Sequence, residues 1–222
     1  MTGNNSRTDQ IFNELRMEIL TGAVPGGTRL AESTLAKEKG VSRTPAREAL
    51  QQLVKEGLLQ AIPRAGYLVR APSESDILDL FKTRRSIELV AAQTALEYMD
   101  DQVLTLLKNN LVKTRAALET GALESMIELD TEFHAIIYKA TRSKYLYRIC
   151  MNLSDYTLLF RKAVIVIPEA AQRAEQDHTA IYHAFESRDS EQVDAAIKSH
   201  LNVVRNDILE YRSRWDQNNP FA

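Results

Sequence analysis

The sequence predicts a mostly α-helical chain in two parts, a winged helix-turn-helix head followed by an all-helical bundle of six helices. Three observations lead there. The first 75 of the 222 residues hold seven of the eight glycines and four of the six prolines. Residues 76–212 contain only Gly121 and Pro168 of these types, and their apolar residues recur at spacings of three and four, the period of a helix. Charge divides at the same place: residues 1–75 carry ten Lys/Arg against eight Asp/Glu, and the remainder eighteen against twenty-two. The expected boundaries are 1–70 for the head, 71–75 for a linker and 76–215 for the bundle.

In the head, Ile11, Leu15, Ile19 and Leu20 form a helical stripe that should end at Thr21-Gly22, and Pro25-Gly26-Gly27 reads as a turn. A second helix, about 32–39, is stopped by Gly40, and a third runs over 43–56 to Gly57. Residues 58–62 and 67–70 then read as short strands either side of Pro63-Arg64-Ala65-Gly66. Helix, turn, helix, hairpin is the order of a winged helix. After the linker, in which Ser73 or Ser75 is available as an N-cap, six helices are expected over 76–98, 101–119, 123–141, 143–162, 168–187 and 190–213.

Composition excludes several classes. With 44% hydrophobic and 26% charged residues the chain is ordinary globular protein, neither disordered nor fibrous. One cysteine cannot form an internal disulfide, and the longest uniformly apolar stretch, 163–167, is far short of a membrane span. MTGNNSRTDQ at the N-terminus lacks the apolar core of a signal peptide, so a cytoplasmic protein with no membrane partner is expected.

The net charge of -2 conceals a basic window, residues 33–70, with seven basic residues against three acidic, the sign expected of a surface that meets phosphate. Within it, Arg43 and Arg47 lie one turn apart on the third helix, opposite Ala49, Leu50, Leu53 and Val54. A helix entering the major groove of double-stranded DNA by its N-terminal end brings arginine forks to guanine or phosphate, while hydroxyls hold the backbone. Ser42, Arg43, Thr44 and Arg47 fit those roles. Arg64 at the hairpin tip would reach the minor groove or phosphate, and Gly66 would let the turn approach the duplex closely. The competing reading is a solvated face with Arg47 paired to a nearby carboxylate.

In the bundle, Asp130 and His134 are four apart and share a helix face. His178 and His200 each stand eleven residues from the joint at 189, so antiparallel helices hinged there bring them level. Three inward imidazoles and a carboxylate suit a divalent metal ion, zinc first, with nickel or manganese as alternatives. A lone histidine on an apolar face is more often a hydrogen-bonded core residue; three at matched heights are not so readily explained. His183 should lie on another face. Arg84 falls with Glu88 on the inward stripe of Ile77, Leu80, Phe81, Ile87, Ala91 and Ala95, where it either pairs with Glu88 or meets the carboxylate of a ligand.

Two resemblances cover nearly the whole chain. Leu30, Glu32, Leu35-Ala36, Gly40-Val41-Ser42-Arg43-Thr44-Pro45, Arg47-Glu48-Ala49-Leu50, Leu53 and Glu56-Gly57-Leu58 closely resemble the winged helix of GntR-type bacterial transcription regulators. Ala46, where that family usually has valine, and Lys39, often apolar there, are departures. Arg84-Arg85-Ser86-Ile87-Glu88, Asp130-Thr131-Glu132-Phe133-His134, His178-Thr179-Ala180-Ile181 and His200-Leu201 resemble the FCD effector-binding domain of the FadR subfamily, and six helices rather than seven are similar to its VanR branch. The resemblance implies a homodimeric regulator, more commonly a repressor, in which Asp130, His134, His178 and His200 bind a metal that helps hold a small organic-acid effector. A metal-responsive regulator, or a metalloenzyme with an attached DNA-binding domain, is the alternative.

Overall fold

The computed structural model describes residues 7–20, 23–70, 73–165 and 167–218. The chain divides into two units, one ending at residue 72 and the other beginning at Ser73.

In the first unit, α1 (Arg7–Leu20) buries Ile11, Leu15, Ile19 and Leu20 and packs on α3. Its expected stop at Thr21-Gly22 lies outside the described residues. The second helix, α2 (Glu32–Glu38), ends where Gly40 turns the chain with φ of 63°, and α3 (Arg43–Lys55) seals Ala46, Ala49, Leu50 and Leu53 into the core of this unit. Lys39 is polar for a reason: its Nζ donates to Glu14 (2.9 Å) and Glu18 (3.1 Å), tying the end of α2 to α1.

Strands β2 (Leu59–Ile62) and β3 (Gly66–Val69) form the expected hairpin. A further strand, β1 (Arg29–Leu30), was not foreseen and pairs with β3, giving an antiparallel sheet of order β1-β3-β2. Two residues are too few for a period-2 pattern, so nothing in the sequence marks them. They also supply a reason for Gly66 that differs from approach to a duplex: a Cβ there would stand 2.4 Å from the Leu30 carbonyl oxygen, at a φ of 89°.

The second unit is all helix among its described residues. Its elements are α4 (Glu74–Glu97), α5 (Asp101–Thr120), α6 (Leu123–Ala140), α7 (Lys144–Val164), α8 (Pro168–Ser187) and α9 (Ser190–Asn218). Ser73, not Ser75, caps α4. Its Oγ accepts from the Asp76 amide (3.1 Å), and its own amide donates to Asp76 Oδ2 (2.8 Å). Glu74 and Ser75 therefore belong to the first helical turn rather than to a linker. Gly121, with φ of 65°, closes α5, and Arg188, with φ of 56°, closes α8. The last helix runs past the expected 213 to Asn218. Within the bundle α4 lies on α9, α5 on α6 and α8, and α8 on α9, around Ile77, Leu107, Phe133, Ile137, Ile181, Phe185 and Ile208. No described helix is long and apolar enough to cross a membrane.

Candidate reading head and metal centre

Helix α3 turns its polar side outward. Ser42, Arg43, Thr44 and Arg47 are all exposed, beside sealed Ala46 and Ala49. Ser42 occupies the N-cap position with extended backbone, but its hydroxyl caps nothing, so the hydroxyl and the first amides of the helix stay open to an outside acceptor. No carboxylate among the described residues pairs with Arg43 or Arg47; Glu48, the adjacent acid, accepts from Thr8 Oγ1 at 2.9 Å. Arg64 sits exposed at the hairpin tip in left-handed conformation, φ 63°.

In the bundle, His134 comes from α6, His178 from α8 and His200 from α9. Each side chain is buried, and one ring nitrogen from each lies within 4.8 Å of the others. The ring centroids are 5.0 Å (134 to 178), 5.2 Å (134 to 200) and 4.9 Å (178 to 200) apart. The antiparallel α8–α9 pair, hinged at Arg188-Asp189, brings the last two level, and Phe133 stacks on His178 with centroids 4.2 Å apart, fixing its plane. His183 is exposed and binds Glu186 instead.

A buried nitrogen without a partner tests whether a cation fits. Nε2 of His178 makes no hydrogen bond, a costly state for a polar atom sealed from water. Burial, reinforced by the charge of neighbouring imidazole, holds His134 well below its ordinary pKa and brings His178 down to about 3. Neutral rings with free lone pairs are the form that binds a divalent cation.

Asp130 stands beside this cluster. Its Oδ1 is 3.7 Å from His178 Nε2, while its Oδ2 accepts from Arg161 Nη1. Burial alone would raise the Asp130 carboxyl; Arg161, His178 and His134 outweigh it, and the group lies well below the usual carboxylate range. Arg161 was not anticipated. It also donates to Thr131 Oγ1 (3.3 Å) and to the carbonyl and hydroxyl of Ser154 (3.2 and 3.1 Å). The signal was there: Cys150, Ser154 and Thr157 form a buried stripe on α7, and Arg161 continues it at the next turn.

Arg84 is buried and donates from Nε to Glu88 Oε1 at 2.6 Å. The guanidinium also borders a small cavity of about 40 Å³, shared with Asp130, His134, Arg161 and His200 and lined as well by Val164, Ile165, Val204 and Ile208. The pair with Glu88 and the position at the cavity therefore coexist. Glu132 stays apart, accepting from Asn110 Nδ2 at 2.9 Å.

Comparison with known proteins matches residues 79–203 to the FCD domain and residues 7–69 to the gntR family of bacterial regulatory proteins. The chain is 27% identical to the HTH-type transcriptional regulator YdhC of Bacillus subtilis, over 87% of each chain. It is likewise 27% identical to the HTH-type transcriptional repressor RspR of Escherichia coli, over 91% of this chain and 89% of that one. Among solved structures, Escherichia coli McbR/YncC superposes with a TM-score of 0.73 at 24% identity, covering 95% of this chain and 99% of that one. A GntR regulator from Rhodococcus sp. RHA1 gives 0.72 at 22% identity, over 92% and 98%.

Proposed function

The chain belongs to the gntR family of bacterial regulatory proteins in its FCD-domain form, and from that premise we propose a repressor that a small carboxylate releases from its operator. As a member it is a sequence-specific DNA-binding regulator rather than an enzyme. We place it in the cytoplasm, as a homodimer of the VanR-like branch of the FadR subfamily, in keeping with six helices after the head. RspR, named as a repressor, supports that sign of control.

Each winged helix presents Arg43 and Arg47 to base edges in the major groove and Ser42 and Thr44 to phosphate, with Arg64 and the turn before Gly66 at the neighbouring minor groove. His134, His178 and His200, with Asp130 beside them, would hold the divalent ion, zinc in first place. When bound, it supplies a Lewis-acidic seat for a carboxylate oxygen. Arg84, at the edge of the same cavity, would take the second oxygen, and the apolar wall of Val164, Ile165, Val204 and Ile208 would face the carbon skeleton. The effector acts by preferring a domain arrangement that does not fit the operator; equal affinity for both would move nothing.

The observation that carries this reading is the convergence of three buried imidazoles, with Nε2 of His178 left without a hydrogen bond. The test is an operator mobility shift with zinc-loaded protein against a panel of organic acids. At least one acid should release DNA from the wild type and not from His178→Ala. If none does, the effector assignment fails.

One observation favours a second reading, in which the metal itself is the signal: about 40 Å³ holds roughly one water and no organic acid until the cavity opens. Release of operator by metal alone, with every acid inert, would establish it. Turnover of an acid by purified protein would instead point to a metalloenzyme, a reading to which Glu132, engaged by Asn110, lends no general base.

A further inference from the structure

Across the α8–α9 interface, Nδ1 of His200 and Oδ2 of Asp177 face each other 3.5 Å apart, and neither buried atom has a hydrogen bond from any described group. Asp177 is not one of the residues whose atoms converge on the cluster. It precedes His178 on α8, and successive helical residues point about 100° apart. One turn of α8 thus sends an imidazole into the cluster and a carboxylate to the ring that α9 contributes.

The chemistry of the pair is asymmetric. An ionised carboxylate only accepts, so it joins Nδ1 of His200 only if that nitrogen carries the proton. A neutral ring with Nδ1–H has its single lone pair on Nε2. Free imidazole side chains in water favour the opposite tautomer, in which Nε2 bears the hydrogen and cannot bind a cation. Left to itself, His200 would have to change tautomer before acting as a ligand through Nε2.

We propose that Asp177 is a positioning residue, whose carboxylate holds His200 as the Nδ1–H tautomer and so delivers Nε2 as a ready lone-pair donor to a divalent cation shared with His134 and His178. This rests on the metal reading given above. Two of the rings are oriented by different means: His178 by its stack on Phe133, with rings 9° from parallel, and His200 by a carboxylate behind it. Carboxylates in this relation to a ligand histidine fix its orientation and raise its basicity, and losing one costs about 10- to 100-fold in metal affinity.

The experiment compares full-length wild type, Asp177→Asn, Asp177→Glu and His200→Ala. Zinc affinity is measured by competition with a chromophoric chelator, and the His200 tautomer in metal-free, histidine-labelled protein by two- and three-bond ¹H–¹⁵N correlation. Wild type should show His200 protonated at Nδ1. Asp177→Asn should lower zinc affinity about 10- to 100-fold and shift His200 toward the Nε2–H form, and Asp177→Glu should recover part of both. Melting curves of the variants, run without metal, confirm that each is folded. A wild-type His200 that already carries its proton on Nε2 overturns the proposal. So does an Asp177→Asn protein with unchanged tautomer and zinc affinity while His200→Ala loses zinc. If wild type takes up no zinc at all, the metal reading fails, and the tautomer measurement still decides what Asp177 does.

Discussion

Arg84 and Glu88 lie one turn apart on α4, and their 2.6 Å ion pair is almost sealed from water, with side chains 4% and 2% exposed. Beside Glu88 the Tyr138 hydroxyl is buried, and burial, then the Glu88 charge, pushes its pKa well above the ordinary value. The pair makes Arg84 both a structural element and a wall of the cavity.

Removing one member should therefore be costly. Glu88→Ala leaves a buried guanidinium uncompensated and should destabilise the helical unit by about 3–5 kcal/mol, whereas the double change Arg84→Met, Glu88→Leu should cost much less. Urea unfolding followed by far-ultraviolet circular dichroism measures both. Equal losses in the two proteins would show that the pair is not the cause.

Metal-free protein should weaken in mild acid. Folded-state pKa values of His134 and His178 lie below the unfolded value of about 6.5, chiefly through burial, with His178 at about 3. The unfolded chain then binds more protons than the native one. Stability is full above pH 6.5 and falls as pH drops from there toward 3, by up to about 1.4 kcal/mol per pH unit for each ring. Asp130, also depressed, keeps its contribution above its unfolded value of about 4 and loses it as pH falls further. Denaturant melts in chelator between pH 7.5 and 4.5 test the slope, and His178→Phe should flatten it.

On the reading head, Arg43→Ala and Arg47→Ala should each weaken operator binding by roughly 1–3 kcal/mol and relax sequence preference, since both side chains are exposed and unpaired among the described residues. Selection from a randomised operator library reads the preference. Unchanged affinity and preference would remove these two contacts.

Gly66→Ala should damage the wing from inside. The new Cβ meets a backbone oxygen, which cannot swing away as a side chain would, and φ of 89° is strained for alanine. A loss of about 1–3 kcal/mol in the first unit is expected, read as early hydrogen exchange of the β1–β3 amides. Arg64→Ala, at the tip, should leave that exchange unchanged and affect only DNA.

How far the sequence revealed this depends on the range of each signal. The helices of the bundle were legible because their apolar stripes span several turns, and the level of His178 with His200 followed from counting residues about one joint. The β1 strand was invisible at two residues. Arg161 and Asp177 were harder to read: each acts on a residue of a different helix, 31 positions away in one case and 23 in the other, so even the buried α7 stripe that Arg161 extends does not name its partner. Lys39 looked like a departure from an apolar norm until Glu14 and Glu18 were placed beside it.

Arg161 allows the metal site to be probed through stability alone. Its guanidinium is the principal positive charge against which Asp130 stays ionised despite burial. In Arg161→Gln that charge is gone, and without metal the variant should lose about 3 kcal/mol. A divalent cation on the three imidazoles would restore positive charge next to the same carboxylate. Zinc should thus raise the melting temperature of Arg161→Gln by more than that of wild type, each measured against its own chelator-treated control. An equal rise in both proteins would mean that the ion, wherever it binds, does not feel Asp130, and the carboxylate would have to be withdrawn from the proposed ligand set while the three histidines remained.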